Sequence, residues 1–419
     1  MAVGAATKLL MGAVGFVGVF QRLITPLTMT PAIALIGLSR LSIATEPAST
    51  SWTIAAITAA LITLLSQYLT PCRPASELAV VKKLNDGITF LSIVPIFITV
   101  LIVWLTCHIL TVENLLPEDH AGRTYHLASA VGNATWFRVP QPFPWGTPTP
   151  SWDSATIAVF VNLMNMLGTL CDYYAYALVS GLPPPPPRAI NRGIFMEGVG
   201  CLLASCFGSG GLCGIQDINI GLLAVTKCAS LRVVQMAAWM MILFGLMTKV
   251  GVVVLSIPTP ILGGLLLVLL ATIAGVGMAQ LRYVDLTSSR NVFIVGVSLT
   301  LGITIPLHVG PASEFTMTQV GVIDRIIYAF FSTGSLIGGF VGCLLDHTIP
   351  GTDDERGLLK LRECFSEAGA RTMASNDPLR HWQFYSVPCF DKILRKFPVL
   401  RKLPMMPERE PHVSYLEDE

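Results

Sequence analysis

Polar residues interrupt an otherwise apolar chain between positions 208 and 232, which read GSGGLCGIQDINIGLLAVTKCASLR. Gln216, Asp217 and Asn219 put two amides and a carboxylate within four positions, and Thr226 and Lys227 close the apolar turn that follows. Such a set can hold a solute reversibly, because fixed polar groups replace the water that the solute sheds. Two readings stay open: a broken span whose half-helix faces a cavity, or a short loop between two ordinary spans. Glycines 208, 210, 211 and 214 are followed by no Gly-Lys-Ser or Gly-Lys-Thr, so the run need not be a phosphate cradle. Upstream, Asp172 is a carboxylate inside an apolar segment, where such a group is expensive and usually functional. Covalent or metal chemistry finds no support. The ten cysteines form no CxxC pair, and the seven histidines are scattered. No enzyme activity, bound cofactor or nucleic-acid partner is expected.

The elements that must position these residues are membrane helices. Of 419 residues 53% are hydrophobic and only 13% charged, about half the charge of a soluble domain. Mean hydropathy is +0.64. The apolar runs are about 20 residues long, which fits helices rather than barrel strands. About ten spans are expected, at 7–20, 26–42, 52–69, 88–110, 155–179, 193–207, 233–257, 261–279, 292–308 and 326–345. The first is barely long enough to cross. A proline run at 183–187 forms a stiff turn, and 346–419 is a charged tail. Basic residues at 73, 82, 83, 188, 192, 227, 232, 282 and 290 and in the tail fit the cytoplasmic side. The loop 113–153 then lies outside, and it contains the glycosylation sequon at Asn133. The cysteines within spans read as small packing residues.

Seven motifs in order resemble the nucleobase–ascorbate transporter family, most closely its animal, sodium-dependent vitamin C branch. They are PLTMTPAIALIGLS from Pro26, CDYYA from Cys171, GLPPPPPRAINRGIF from Gly181, NIGLLAVTK from Asn219, PTPILGG from Pro258, YVDLTSSRNVFIVG from Tyr283 and IPGTDDERGL from Ile349. The resemblance implies an all-α, polytopic, inverted-repeat carrier with core and gate domains. It implies a core at 1–22 and 154–257, a gate at 23–112 and 258–345, and a cytoplasmic tail from 346. It also implies that the first repeat is incomplete, with 1–22 a remnant of span four and spans one to three absent. A short extended segment is expected in the broken span near 208–219, where the family frames its substrate.

The site departs from the family pattern. The span-eight glutamate is replaced by Gly168, one helical turn before Asp172 on the same face. Ile218 stands where the signature opens with Gln, Glu or Pro, while Asn219, Gly221, Thr226 and Lys227 match it. Asp172 reads as a pocket or ion-linked residue, against a structural pairing role. Asp217 either replaces the lost carboxylate or caps the half-helix starting near Asn219. Gln216 suits a lactone or a purine edge, and equally a solvated linker. Tyr173 and Tyr174 read as packing or interface residues. The functional expectation is a carrier of L-ascorbate or a nucleobase in a lipid bilayer, coupled to Na+, at the plasma membrane and as a homodimer through the gate. The alternative is a shortened, transport-inactive member that acts only as a dimer partner. On the incomplete repeat, little or no uptake is expected of the chain alone.

Overall fold

The computed structural model describes residues 2–15, 24–68, 94–124, 131–132, 134–144, 146, 151–182, 185–209, 217–226, 229–309, 318, 321–361 and 363. Asn133 and Gln216, and most of the expected extended segment (210–216), lie outside them. Every regular element among the described residues is helical. In chain order these are α1 (Ala2–Val14), α2 (Pro26–Ser39), α3 (Leu41–Ser49), α4 (Trp52–Thr63) with a π-turn at Leu64–Tyr68, and α5 (Pro95–Val112). Then come α6 (Trp152–Val179), α7 (Pro187–Cys206), α8 (Ile218–Thr226), α9 (Leu231–Leu246) and α10 (Thr248–Leu255). The last are α11 (Thr259–Met278) with a 3-10 turn at Ala279–Tyr283, α12 (Ser289–His308), α13 (Gly321–Phe331) and α14 (Gly334–Thr348).

By length and composition, five helical stretches can cross a membrane: Pro26–Ser49, Pro95–Val112, Trp152–Val179, Thr259–Tyr283 and Ser289–His308. Two expected single spans are bent pairs instead. α9 and α10 meet at 100°, and α13 and α14 at 79°. At the first break Met247 is extended, and the freed Leu246 carbonyl accepts from the Arg138 amide at 3.0 Å. At the second, Thr333 is extended within Ser332-Thr333-Gly334, whose polar and small residues favour a turn over a continuing helix. Counting each pair once gives up to seven candidate crossings by length and composition among the described residues, while parts of the expected spans at 7–20 and 88–110 lie outside them. α7 is 20 residues long but carries Arg188, Arg192 and Glu197.

The chain divides into two compact units. The first comprises Met1–Leu35, Pro142–Asp217 and Val276–Glu419. Its most extensive packing is α1 on α7. The contact is backbone to backbone at two glycines. A methyl group on Gly12 would sit 2.6 Å from the Phe195 amide nitrogen, and one on Gly198 would sit 2.7 Å from that of Leu9. Leu27, Val284, Ile294 and Val295 form a buried apolar cluster bordered by Leu281, Leu299, Leu345 and Ile349.

Beside that cluster a charged knot ties the beginning of the tail to the helices. The Asp346 carboxylate accepts from Arg290 Nη2 at 2.9 Å, Arg356 Nη2 at 2.9 Å and the Thr25 hydroxyl at 2.8 Å. Arg290 also donates to the Ile349 and Asp346 carbonyls at 2.7 and 2.8 Å. Asn291 spans the Asp285 and Glu355 carbonyls at 2.9 and 2.7 Å. Thr352 and Glu355 cap each other reciprocally, so residues 350–361 are built into this unit. In the turn before α12, the Thr287 hydroxyl and amide hold the Asp285 carboxyl below its ordinary range.

The second unit comprises Ile36–Gln141 and Ile218–Gly275. Val103, Cys107 and Ile261 form its apolar centre, with Ile54, Leu61, Val100, Trp104 and Ile257 around them. Small residues again set the helix spacing. A methyl on Gly221 of α8 would sit 2.6 Å from the Leu269 carbonyl oxygen of α11. α9 has no buried residue, and Trp239 and Met241 on it are largely exposed. A helix that is mostly apolar, Arg232 and Gln235 apart, and has no buried residue among those described suits lipid as its solvent.

Candidate polar site on α1, α6 and α7

The sequence around Asp172 makes a long helix because it is apolar and free of proline from Trp152 to Val179. α6 ends at Gly181, whose φ of +67° accompanies the Leu182 amide bond back to Ala177 at 2.9 Å. On this helix Leu170 and Cys171 are fully buried, and Asp172 is 4% exposed. Gly168, one turn earlier, is half-buried, and a methyl added there would meet no atom within 4 Å. An open space therefore lies at the position from which the expected glutamate would project.

The next residue, Tyr173, does more than pack. Its hydroxyl donates to Oε1 of Glu197 on α7 at 3.0 Å. The other oxygen, Oε2, accepts from Lys8 Nζ on α1 at 3.1 Å. Gly193 lies one turn before Glu197, and any side chain there would collide with the tyrosine ring and hydroxyl. Three helices thus meet at one carboxylate. The Lys8 and Glu197 side chains are 12% and 11% exposed, so the pair is largely out of solvent and each charge depends on the other. Sequence reading named Tyr173 for packing and missed Lys8 and Glu197. The available signal was a glutamate in the middle of a 20-residue helix that is otherwise mostly apolar.

The downstream candidates sit where the glycine-rich run ends one helix and another begins. α7 closes at Gly208, which has φ +72°, with the Ser209 amide bonded to Ala204 at 2.9 Å. Asp217 is the turn residue before α8, which starts at Ile218, one residue from the expected start. Asn219 is exposed, Ile218 half-buried and Ile220 fully buried. Gly221 is the close-packing point against α11, and the Thr226 hydroxyl donates to Leu222 within its own helix at 2.9 Å. Gly168, Asp172 and Asp217 belong to the first unit; Ile218, Asn219, Gly221 and Thr226 belong to the second. Among the described residues no three His, Cys, Asp or Glu side chains cluster as metal ligands.

Comparison with known proteins yields one consistent set of similarities. A family described as a permease family matches residues 1–310. Solute carrier family 23 member 1 of Rattus norvegicus is 35% identical over 416 residues, which is 97% of this chain and 67% of that protein. Solute carrier family 23 member 2 of Homo sapiens is 35% identical over 410 residues, 96% of this chain and 61% of that protein. Nucleobase-ascorbate transporter 1 of Arabidopsis thaliana is 30% identical over 357 residues, 83% of this chain and 66% of that protein. The chain spans about three fifths to two thirds of the length of these relatives.

Proposed function

This chain belongs to the permease family that includes the solute carrier 23 proteins and the nucleobase–ascorbate transporters, and from that premise we propose that it carries L-ascorbate or a nucleobase across a membrane. The family is one of carriers and not of enzymes. The observation that carries the reading is Asp172, a carboxylate 4% exposed inside a membrane-length apolar helix, beside a half-buried open space at Gly168. A polar planar solute can enter such a space and exchange its water for fixed donors and acceptors. Asp172 is the anchor in this reading, and Gln216, Asp217, Ile218, Asn219, Gly221 and Thr226 form or support the rest of the site. Core (1–22, 154–257) and gate (23–112, 258–345) rock against each other around it, with Na+ as the coupling ion. The gate also forms a homodimer. The tail is cytoplasmic, Asn133 is glycosylated, and the plasma membrane is the site of action.

The test is uptake of labelled ascorbate, xanthine and uracil into cells expressing the full chain, with sodium or with choline outside. Saturable uptake of one of these, lost in Asp172→Asn while surface expression is kept, supports the proposal. Saturable uptake that survives Asp172→Asn undiminished removes Asp172 from the site. No uptake of any of the three by the well-expressed parent chain counts against carriage by this chain and favours the alternative, a transport-inactive member that acts only as a dimer partner.

A further inference from the structure

We propose that Lys8 is a tethered cation that permanently fills the cation place at Glu197, so that no mobile ion binds this carboxylate. The proposal rests on the reading of this unit as part of a membrane carrier, but its test does not depend on transport. A carboxylate removed from water needs a partner, and ionisable residues within membrane segments pair with one another or mark ion and substrate pathways. Here both oxygens are taken by protein. Oε2 receives the Lys8 ammonium at 3.1 Å, and Oε1 receives the Tyr173 hydroxyl at 3.0 Å.

The packing argues that this ammonium is built in rather than incidental. Lysine on an isolated helix would swing its long side chain toward water. α1 instead lies against α7 through Gly12 and Gly198, and Gly4 brings it against Ala158 and Asn162 of α6. Lys8 lies between these contacts, and its side chain is only 12% exposed. Gly193 opens the space through which Tyr173 reaches the same carboxylate. A cation held by the chain competes at a high effective concentration, so sodium from solution cannot displace it. A coupling ion, where one is used, must then bind elsewhere in the protein.

The experiment compares thermal unfolding of the purified full chain in equal concentrations of sodium chloride and choline chloride, at mildly alkaline pH where protons are scarce. The parent chain and Lys8→Arg should show no sodium response that Glu197→Gln removes. Lys8→Gln exposes the carboxylate to solution cations and should gain a sodium-specific rise in melting temperature, on the order of 2–4 °C for a well-occupied site. The double variant Lys8→Gln/Glu197→Gln should lose that rise. A Lys8→Gln protein with no sodium response overturns the proposal, as does a parent response that Glu197→Gln abolishes. Where Lys8→Gln does not fold in either salt, the parent and the neutral double variant decide. Equal sodium responses support the tethered cation, and a response present in the parent but lost in the double variant refutes it.

Discussion

Asp346→Asn should loosen the first unit more than any other isosteric change at a single residue of the knot. The side chain is fully buried, and it accepts from two guanidinium groups and a hydroxyl at 2.8–2.9 Å. Asparagine keeps the volume but removes the charge that both arginines oppose. Breaking a buried ion pair from one side costs about 3–5 kcal/mol. Two features point to the lower end. Arg356 is 18% exposed and can recover some solvent, and Arg290 keeps the Ile349 carbonyl as an acceptor. At about 3 kcal/mol, and roughly 2–4 °C per kcal/mol, the melting temperature should fall by about 6–12 °C. The assay is thermal unfolding in mild detergent, read by size-exclusion recovery, at low and at high salt. High salt should not erase the difference, since buried pairs are poorly screened. A fall of under about 2 °C would refute the reasoning, because it would mean that the arginines find equal partners without Asp346.

Four further outcomes follow from the same geometry. Gly193→Ala should displace Tyr173 from Glu197 and lower stability by about 1–3 kcal/mol, as overpacking does, with a matching fall in melting temperature. Tyr173→Phe removes one bond to a charged acceptor and should cost about 1.5–3 kcal/mol in the same assay. Gly221→Ala forces α8 off α11 and should make Cys107, in the second unit's core, react faster with a thiol probe during mild heating. Asp285 has its folded carboxyl below the ordinary value, so its contribution is present at neutral pH and is lost as pH falls through the folded value. Thr287→Ala removes the donors' hydroxyl, so melting curves of parent and variant should differ near neutrality and converge in acid.

Helix-scale features were readable because they depend on composition and period alone. The described part of the apolar stretch expected at 88–110 lies in α5 from Pro95, the stretch at 155–179 lies in α6, and the half-helix expected near Asn219 begins at Ile218. Asp172 stood out as a lone carboxylate in an apolar segment, and burial agrees with that. The bends after Leu246 and Phe331 were hidden because average hydropathy does not change across them. Only Ser332-Thr333-Gly334 carried a local turn signal. The Lys8–Glu197 pair was hidden for another reason: its partners are 189 positions apart, and only the packing of α1 on α7 brings them together. Gly193 likewise has no meaning until the Tyr173 ring is seen to need its space.

The bend between α9 and α10 has a consequence for the parity of the whole chain. With Arg188 and Arg290 on one face of the bilayer, as the charge distribution suggests, an even number of crossings must separate them. α11 is a candidate crossing, and if the 20-residue α7 crosses as well the two supply an even pair. α8 has nine residues, roughly 13 Å of helix, and cannot cross without the residues before it. The segment ending in α8 and the bent pair α9–α10 must therefore both cross or both turn back. Their fates are linked by counting alone, with no contact required between them. A single sidedness label at Ser230, which lies between the two, consequently reports on both: a cytoplasmic label means two additional crossings, and an external one means two re-entrant hairpins.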